Sequence, residues 1–383
     1  MPNPESKKIV RIFSWASFLN DFGSDMIYPV WPLFVTGALG ANMAVLGLLD
    51  GLGEALVSIS QAVSGYFSDK LGKRKIFVWA GYVCGGLSRL GYACATAWPQ
   101  LIPFRILDRA GKMRGAPRDA IVADVSAKDE LGKNFGILRS MDNLGAVCGI
   151  IFCIVFIRAL NYRNLFLIAA VPSLLSAFWI WAAVKERPAP QIKVFKGLAF
   201  KDLNGNLKLF LFLSALFALG SFSYSFLLIF AQKTGFKVTW VPVFYLIFTA
   251  AASLFSFPFG KLSDRVGRKA VLFMAFLFWA LTCLGFILYP GGWMMAVCFV
   301  LYGLHKAALE PVQKTFVAQL APPELRASSL GGFQMVVGLC ALPASLSAGF
   351  FWDKINSLAP FYISLGLTAA AMFLLLFIKE EKL

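Results

Sequence analysis

The chain has 383 residues, of which 58% are hydrophobic and 15% charged, with a mean hydropathy of +0.71. A soluble domain is about 45–50% apolar and about 25% charged, so the 38 Phe residues exceed what a water-facing surface hides and exclude a string of soluble domains. The net charge of +16 points to nucleic acid in a soluble chain, but in a membrane chain it is the expected loading of cytoplasmic loops with Lys and Arg.

A bilayer core of about 30 Å needs about 20 apolar residues per helix. That ruler predicts twelve spans, at 11–36, 43–67, 76–97, 99–123, 135–158, 164–184, 207–231, 238–259, 270–289, 292–317, 328–350 and 358–378. Spans of this length exclude a strand barrel, whose crossings are about 10 residues of alternating polarity. The segment before the first span is charged and lacks a short apolar region with a cleavage site, so no removable signal peptide is predicted.

The first span places Asp21, Asp25 and Tyr28 at i, i+4 and i+7, with Asn20 beside them. The second carries Asp50, Glu54, Ser58 and Gln61 at helical spacing, and the third carries Arg89. The fourth is the most charged: Arg105, Asp108, Arg109 and Lys112 fall at i, i+3, i+4 and i+7, followed by Arg114, Arg118 and Asp119. The fifth adds Arg139 and Asp142. Spans seven to nine are nearly uncharged, with Tyr224 among Ser and Phe residues. Span ten has His305, Lys306, Glu310, Gln313 and Lys314, and span eleven has Gln334.

With the N-terminus inside, 22 Lys and Arg fall on inner loops and ends and five on outer ones, which predicts both termini in the cytoplasm. Trp98, Trp240, Trp293 and Trp352 fall at predicted outer helix ends, where an interfacial belt belongs. The seven Cys lie in apolar stretches without a CxxC pair, which excludes a disulfide framework or zinc site. There is no GxSxG, HExxH or P-loop and only one His, so an enzyme and an ATP-driven pump are both excluded.

The loop after span two reads Gly65-Tyr-Phe-Ser-Asp69-Lys70-Leu-Gly72-Lys73-Arg74, and the loop after span eight reads Gly260-Lys-Leu-Ser-Asp264-Arg265-Val-Gly267-Arg268-Lys269. Both fit G-x-x-x-D-[RK]-x-G-[RK]-[RK], and they stand 195 residues apart. With this tandem pattern the chain resembles the major facilitator superfamily in its twelve-helix form. The resemblance implies an all-α integral membrane protein of two six-helix bundles, at 1–184 and 207–383, joined by a cytoplasmic linker at 185–206. It also implies a rocker-switch transporter with a midplane cavity. Arg105 to Gly111 is similar to the R-x-x-Q-G-x-G motif of the family, with Asp108 at the Gln position and Arg109 at the first Gly position. Gly136, Gly145 and Gly149 keep the spacing of the antiporter motif, but Ile150 replaces its Pro and the closing Gly pair is missing. The string from Asp108 to Asp124 is similar to a bacterial branch whose members mostly have no assigned substrate.

Two readings stay open for the charged residues. In the first, Arg and carboxylate pairs only neutralise the bundle. In the second, the mid-depth set sits where superfamily members bind cargo and protons, since a carboxylate in a partly dry cavity makes a usable proton carrier. The proton-coupling candidates are then Asp21, Asp25, Glu54 and Glu310, and the substrate candidates are Asn20, Tyr28, Arg105, Asp108, Arg109, Tyr224, His305 and Gln334. For the loops, Gly72 and Gly267 suit a tight turn, and the Asp residues suit helix N-terminal amides or Arg partners. The conformational latch candidates are Gly65, Asp69, Gly72, Arg74, Asp124, Gly260, Asp264, Arg265, Gly267 and Arg268. The expected protein is a monomer in the bacterial inner membrane that moves a small anionic, zwitterionic or amphiphilic solute with protons. It is expected to need no cofactor, metal or nucleic acid. Export is the favoured direction; import of an organic acid, amino acid or iron chelator and uncoupled facilitation are the alternatives.

Overall fold

The computed structural model describes residues 4–127, 130–186, 203–288, 291–321 and 326–380. The predicted linker lies outside the described residues from 187 to 202. All regular structure among the described residues is helical. The chain divides into one unit of Met1–Gly40 with Leu56–Phe195 and another of Ala41–Ala55 with Lys196–Leu383.

The first unit contains α1 (Pro4–Ile27), the C-terminal part of α2 (Met43–Leu71), α3 (Lys75–Cys94), α4 (Leu101–Ala110), α5 (Gly115–Val125), α6 (Leu131–Phe156) and α7 (Tyr162–Ala183). Helix α1 packs most extensively on α6 and α7, and α3 packs on α7. Phe13, Val78, Tyr82, Val122, Leu138 and Ile180 form a fully buried core shared by these helices. Asn161 caps α7 by accepting the Asn164 N–H at 2.8 Å.

The predicted fourth span is not one continuous helix. A 3-10 turn at Gly111–Arg114 separates α4 from α5. At this turn the chain crosses α3 closely enough that a Cβ on Gly111 would stand 2.8 Å from the Gly81 carbonyl oxygen. Only a residue without a side chain permits that approach. The predicted seventh span is likewise interrupted at Ser221–Ser223, where Ser223 caps the second piece.

The second unit contains α8 (Gly205–Gly220), α9 (Tyr224–Lys233), α10 (Val241–Val266), α11 (Arg268–Leu288), α12 (Trp293–Leu320), α13 (Arg326–Lys354) and α14 (Ala359–Leu376). Its core is aromatic: Phe217 stacks on Phe276 at 4.3 Å, and Phe244 on Phe299 at 4.9 Å. The N-terminal part of α2 belongs here. Asp353 accepts the Met43 and Ala44 N–H groups at 3.2 and 2.8 Å, which satisfies two orphan donors at the start of α2. One face further along, a Cβ on Gly51 would stand 2.7 Å from the Leu342 Cα, so α2 and α13 touch backbone to backbone. The Ser223 hydroxyl donates to Asp50 at 2.7 Å.

Among the described residues, nine helices are long and apolar enough to cross a membrane, counting Gly205–Lys233 as one. Three predicted spans fall outside that set. The first carries Arg11, Asp21 and Asp25, the third Arg89 among glycines, and the fourth is short, charged and broken. Large apolar side chains on the outside, such as Phe257 at 79% exposure, are what a lipid-facing surface needs.

Candidate functional site

The two motif loops are built alike. Gly72 and Gly267 have φ of 62° and 96°, the left-handed region that the tight turn into α3 and α11 requires. In the first loop the buried Arg74 joins Asp69, at 2.9 Å, to Asp124 of α5. In the second, Arg268 reaches Gln319, and Asp264 lies 3.9 Å away. The structure therefore brings together Asp69, Arg74 and Asp124 from the predicted latch, and Asp264 with Arg268. Arg265 is exposed, Gly65 meets only the Ala116 Cβ at 3.6 Å, and Gly260 faces open space. Arg74 bridges two carboxylates where Arg268 has one distant carboxylate and an amide, so the first loop has the stronger charge network.

Sequence reasoning missed the carboxylates that seat both loops. Glu186 accepts the N–H groups of Arg74 and Lys75 at 2.9 and 3.2 Å. Glu380 accepts those of Arg268 and Lys269 at 2.6 and 3.1 Å. Each acid sits at a helix N-terminus, where orphan amides and the dipole favour negative charge. Lys75 donates its Nζ to the Trp181 carbonyl at 2.8 Å, and Lys269 to that of Leu376 at 2.7 Å. A signal was present: Val184-Lys185-Glu186 and Ile378-Lys379-Glu380 repeat at an offset of 194, the offset of Arg74 and Arg268. Glu186→Ala is expected to cost about 1 kcal/mol, as loss of a helix cap does. The check is a thermal midpoint in detergent lowered by a few degrees; an unchanged midpoint would deny the seat.

The charged residues of the first unit form two networks. One surrounds Asp108, with Arg109 Nε at 3.5 Å and Arg105 at 4.0 Å. The Arg105 guanidinium lies 4.4 Å over Trp31 and that of Arg109 lies 5.0 Å over Tyr28. Tyr28, Arg105 and Asp108 border a void of about 10 Å³, room for about one water rather than a solute. Next to it Arg89 is buried, donating to the Ser24 hydroxyl at 2.7 Å, the Ala169 carbonyl at 2.9 Å and Ser173. Ser173 in turn donates to Asn20 at 3.1 Å. Asn20 is thereby held as a tie between α1 and α7.

The other network lies between α1, α5 and α6. Arg118 donates to Ser17 at 2.7 Å and Asp119 at 3.0 Å, with Asp142 at 3.4 Å. Arg139 approaches Asp142 at 3.5 Å and Asp119 at 4.0 Å. Asp21 faces Arg114 at 3.9 Å, and Arg114 lies 5.0 Å over Tyr82. Asp25 is half-buried one turn further along α1.

The second unit holds a cavity of about 270 Å³ between α9, α10 and α12. Tyr224 and Glu310 line it. So do Tyr245, Phe248, Tyr302 and Lys306, which the sequence reading had not placed in the site. The rings form an edge-to-face chain: Tyr224 to Tyr245 at 5.2 Å, Tyr245 to Phe248 at 4.8 Å and Phe248 to Tyr302 at 5.1 Å. Lys306 Nζ is 3.8 Å from Glu310 and within the electrostatic reach of Glu54. The available signal was helical spacing: Tyr302, Lys306 and Glu310 at i, i+4, i+8, and Thr249, Ser253 and Ser256 at i, i+4, i+7. The two other substrate candidates of this unit lie outside the cavity. His305 is buried against Trp279 and Phe217, with Nδ1 2.8 Å from the Ala275 carbonyl. Gln334 is exposed on α13, outside the cavity lining.

A helical membrane chain with paired motif loops and a polar, aromatic cavity has the features of a multi-pass solute transporter. The family model of the Major Facilitator Superfamily matches residues 13–252 and 210–383, and the chain belongs to that family. It is 38% identical to an uncharacterized MFS-type transporter of Methanocaldococcus jannaschii, over 98% of this chain and 96% of that one. It is 25% identical to the multidrug resistance protein MdtH of Aeromonas hydrophila, over 88% of this chain and 86% of that protein. A mutant of the nucleoside transporter NupG shares the fold, with a TM-score of 0.81 and 16% identity over 97% of this chain and 100% of that one. The protein is a transporter rather than an enzyme.

Proposed function

We propose that the chain is a secondary active transporter that exports a small organic solute by alternating access, driven by the proton gradient. On this reading it has twelve spans in two six-helix halves, with both termini in the cytoplasm of a bacterial cell. It works as a monomer in the inner membrane. The observation that carries the proposal is the meeting of Lys306 and Glu310, with Glu54 in reach, at the wall of a cavity lined by aromatic rings. Titratable groups beside an aromatic opening let cargo and protons compete for the same charges. The 25% identity to a multidrug resistance protein supports export over import.

The test uses everted vesicles carrying an imposed pH gradient and a pH-sensitive dye. Addition of an amphiphilic or zwitterionic solute is expected to dissipate the gradient with the wild type. Glu310→Gln and Glu54→Gln are expected to lower that response by at least tenfold. Solute flux that ignores both the gradient and neutralisation of Asp21, Asp25, Glu54 and Glu310 would leave facilitation as the mechanism.

A further inference from the structure

We infer that the cavity of the second unit is a binding site for a small zwitterion carrying a flat aromatic ring. This names the cargo class of the transporter proposed above and rests on that reading. Three features of the cavity lead to it.

The first is a charge pair that is close but not closed. Lys306 and Glu310 stand 3.8 Å apart, longer than the about 2.7–2.9 Å of a direct charged hydrogen bond, and their side chains are 37% and 65% exposed. Each has donors or acceptors left for a ligand. A ligand with only a cation would place it beside Lys306, and one with only an anion would place it beside Glu310. Like charges at such distances repel. A ligand with both signs satisfies both residues and leaves the net charge of the Glu54, Lys306 and Glu310 set unchanged.

The second is the aromatic wall. Tyr224, Tyr245, Phe248 and Tyr302 meet edge to face and line the cavity, a wall against which a further planar group can pack. The cavity of about 270 Å³ suits one ring and a short polar chain. The third is a set of polar positions that share the cavity with the pair. Thr249 Oγ1 is buried without a hydrogen-bond partner among the described residues, and Ser253 continues its stripe. On α12, Pro311 supplies no N–H to the carbonyl of Ala307, which borders the cavity one turn from Glu310. That carbonyl adds an acceptor for an ammonium group next to the carboxylate. The ring lies on the tyrosines, the carboxylate meets Lys306, and the ammonium meets Glu310 and the freed carbonyl.

The experiment is equilibrium dialysis of the purified full chain with four radiolabelled probes: tryptophan, tryptamine, indole-3-propionate and alanine. These hold the ring and vary the charge, or hold the charge and remove the ring. Saturable tryptophan binding is expected, at least tenfold tighter than any of the other three. Lys306→Gln is expected to erase the advantage of tryptophan over tryptamine, and Glu310→Gln its advantage over indole-3-propionate. Tryptamine or indole-3-propionate binding as tightly as tryptophan to the wild type overturns the inference, and that comparison needs no variant to fold. Tryptophan affinity unchanged from the wild type in both variants overturns it too, as does failure of all four probes to bind. Binding requires neither a gradient nor flux. Zwitterion binding without gradient-driven flux would therefore defeat the transport reading while sparing the site. Gradient-driven flux of other solutes with no zwitterion binding would do the reverse.

Discussion

Arg118→Met is expected to destabilise the protein by about 3–5 kcal/mol, the range for breaking a buried ion pair from one side. Arg118 is 7% exposed and contacts three helices at once, through Ser17 on α1, Asp119 beside it on α5 and Asp142 on α6. Ser17 extends the network to Tyr82 of α3 at 3.2 Å. Without the guanidinium, Asp142 stays 9% exposed, with the 67% exposed Arg139 at 3.5 Å and the Ser17 hydroxyl as its remaining partners among the described residues. A desolvated carboxylate in that position is costly. The penalty comes from the charge left behind, so Arg118→Met with Asp142→Leu is expected to recover most of the loss. Thermal midpoints and yields in detergent for the two single variants and the double give the coupling directly. Equal destabilisation in the single and the double variants would show that Asp142 does not depend on Arg118.

The structure explains which parts of the architecture could be read in the sequence. Helical crossings were legible because apolar length is a local property, and α6, α7, α10 and α11 match their predicted spans closely at most ends. The motif loops were legible because a turn with a left-handed glycine and an Arg partner is encoded within ten residues. Breaks in helices were less visible. The turn at Gly111 depends on Gly81, thirty residues away, and nothing near Gly111 announces the crossing. The candidate site divided in the same way. Glu310 was visible as a charge within a span, but its cavity takes Tyr245, Phe248 and Thr249 from another helix. A tyrosine in a span reads as core until the opposite wall is known. His305 shows the converse. It is the single His of the sequence, yet α12 turns it into a ring-lined core position with its Nδ1 beside a backbone carbonyl.

Gly149→Leu is expected to be destabilising by about 3 kcal/mol, the upper end of the usual cost of overpacking. Gly149 backs onto the Phe22 carbonyl, and a Cβ there would also stand 3.1 Å from the Met26 N. One turn earlier, a Cβ on Gly145 would stand 3.0 Å from the Phe18 Cα. These obstacles are backbone atoms, which no rotamer change can move aside. Helix α1 would have to leave α6, carrying Asp21 away from Arg114. The partial antiporter spacing thus has a packing explanation at two of its three glycines, as small residues have at close helix crossings in membranes. The third provides a control of opposite sign. Gly136 has nothing within 4 Å of its would-be Cβ. Gly136→Ala is therefore expected to stabilise α6 by roughly 0.5–1 kcal/mol through the lost flexibility of the unfolded chain. Thermal midpoints of the two variants, measured side by side, test the assignment. A Gly149→Leu protein as stable as the parent would deny the close crossing. A Gly136→Ala protein as damaged as Gly149→Leu would mean that the spacing serves something other than contact between α1 and α6.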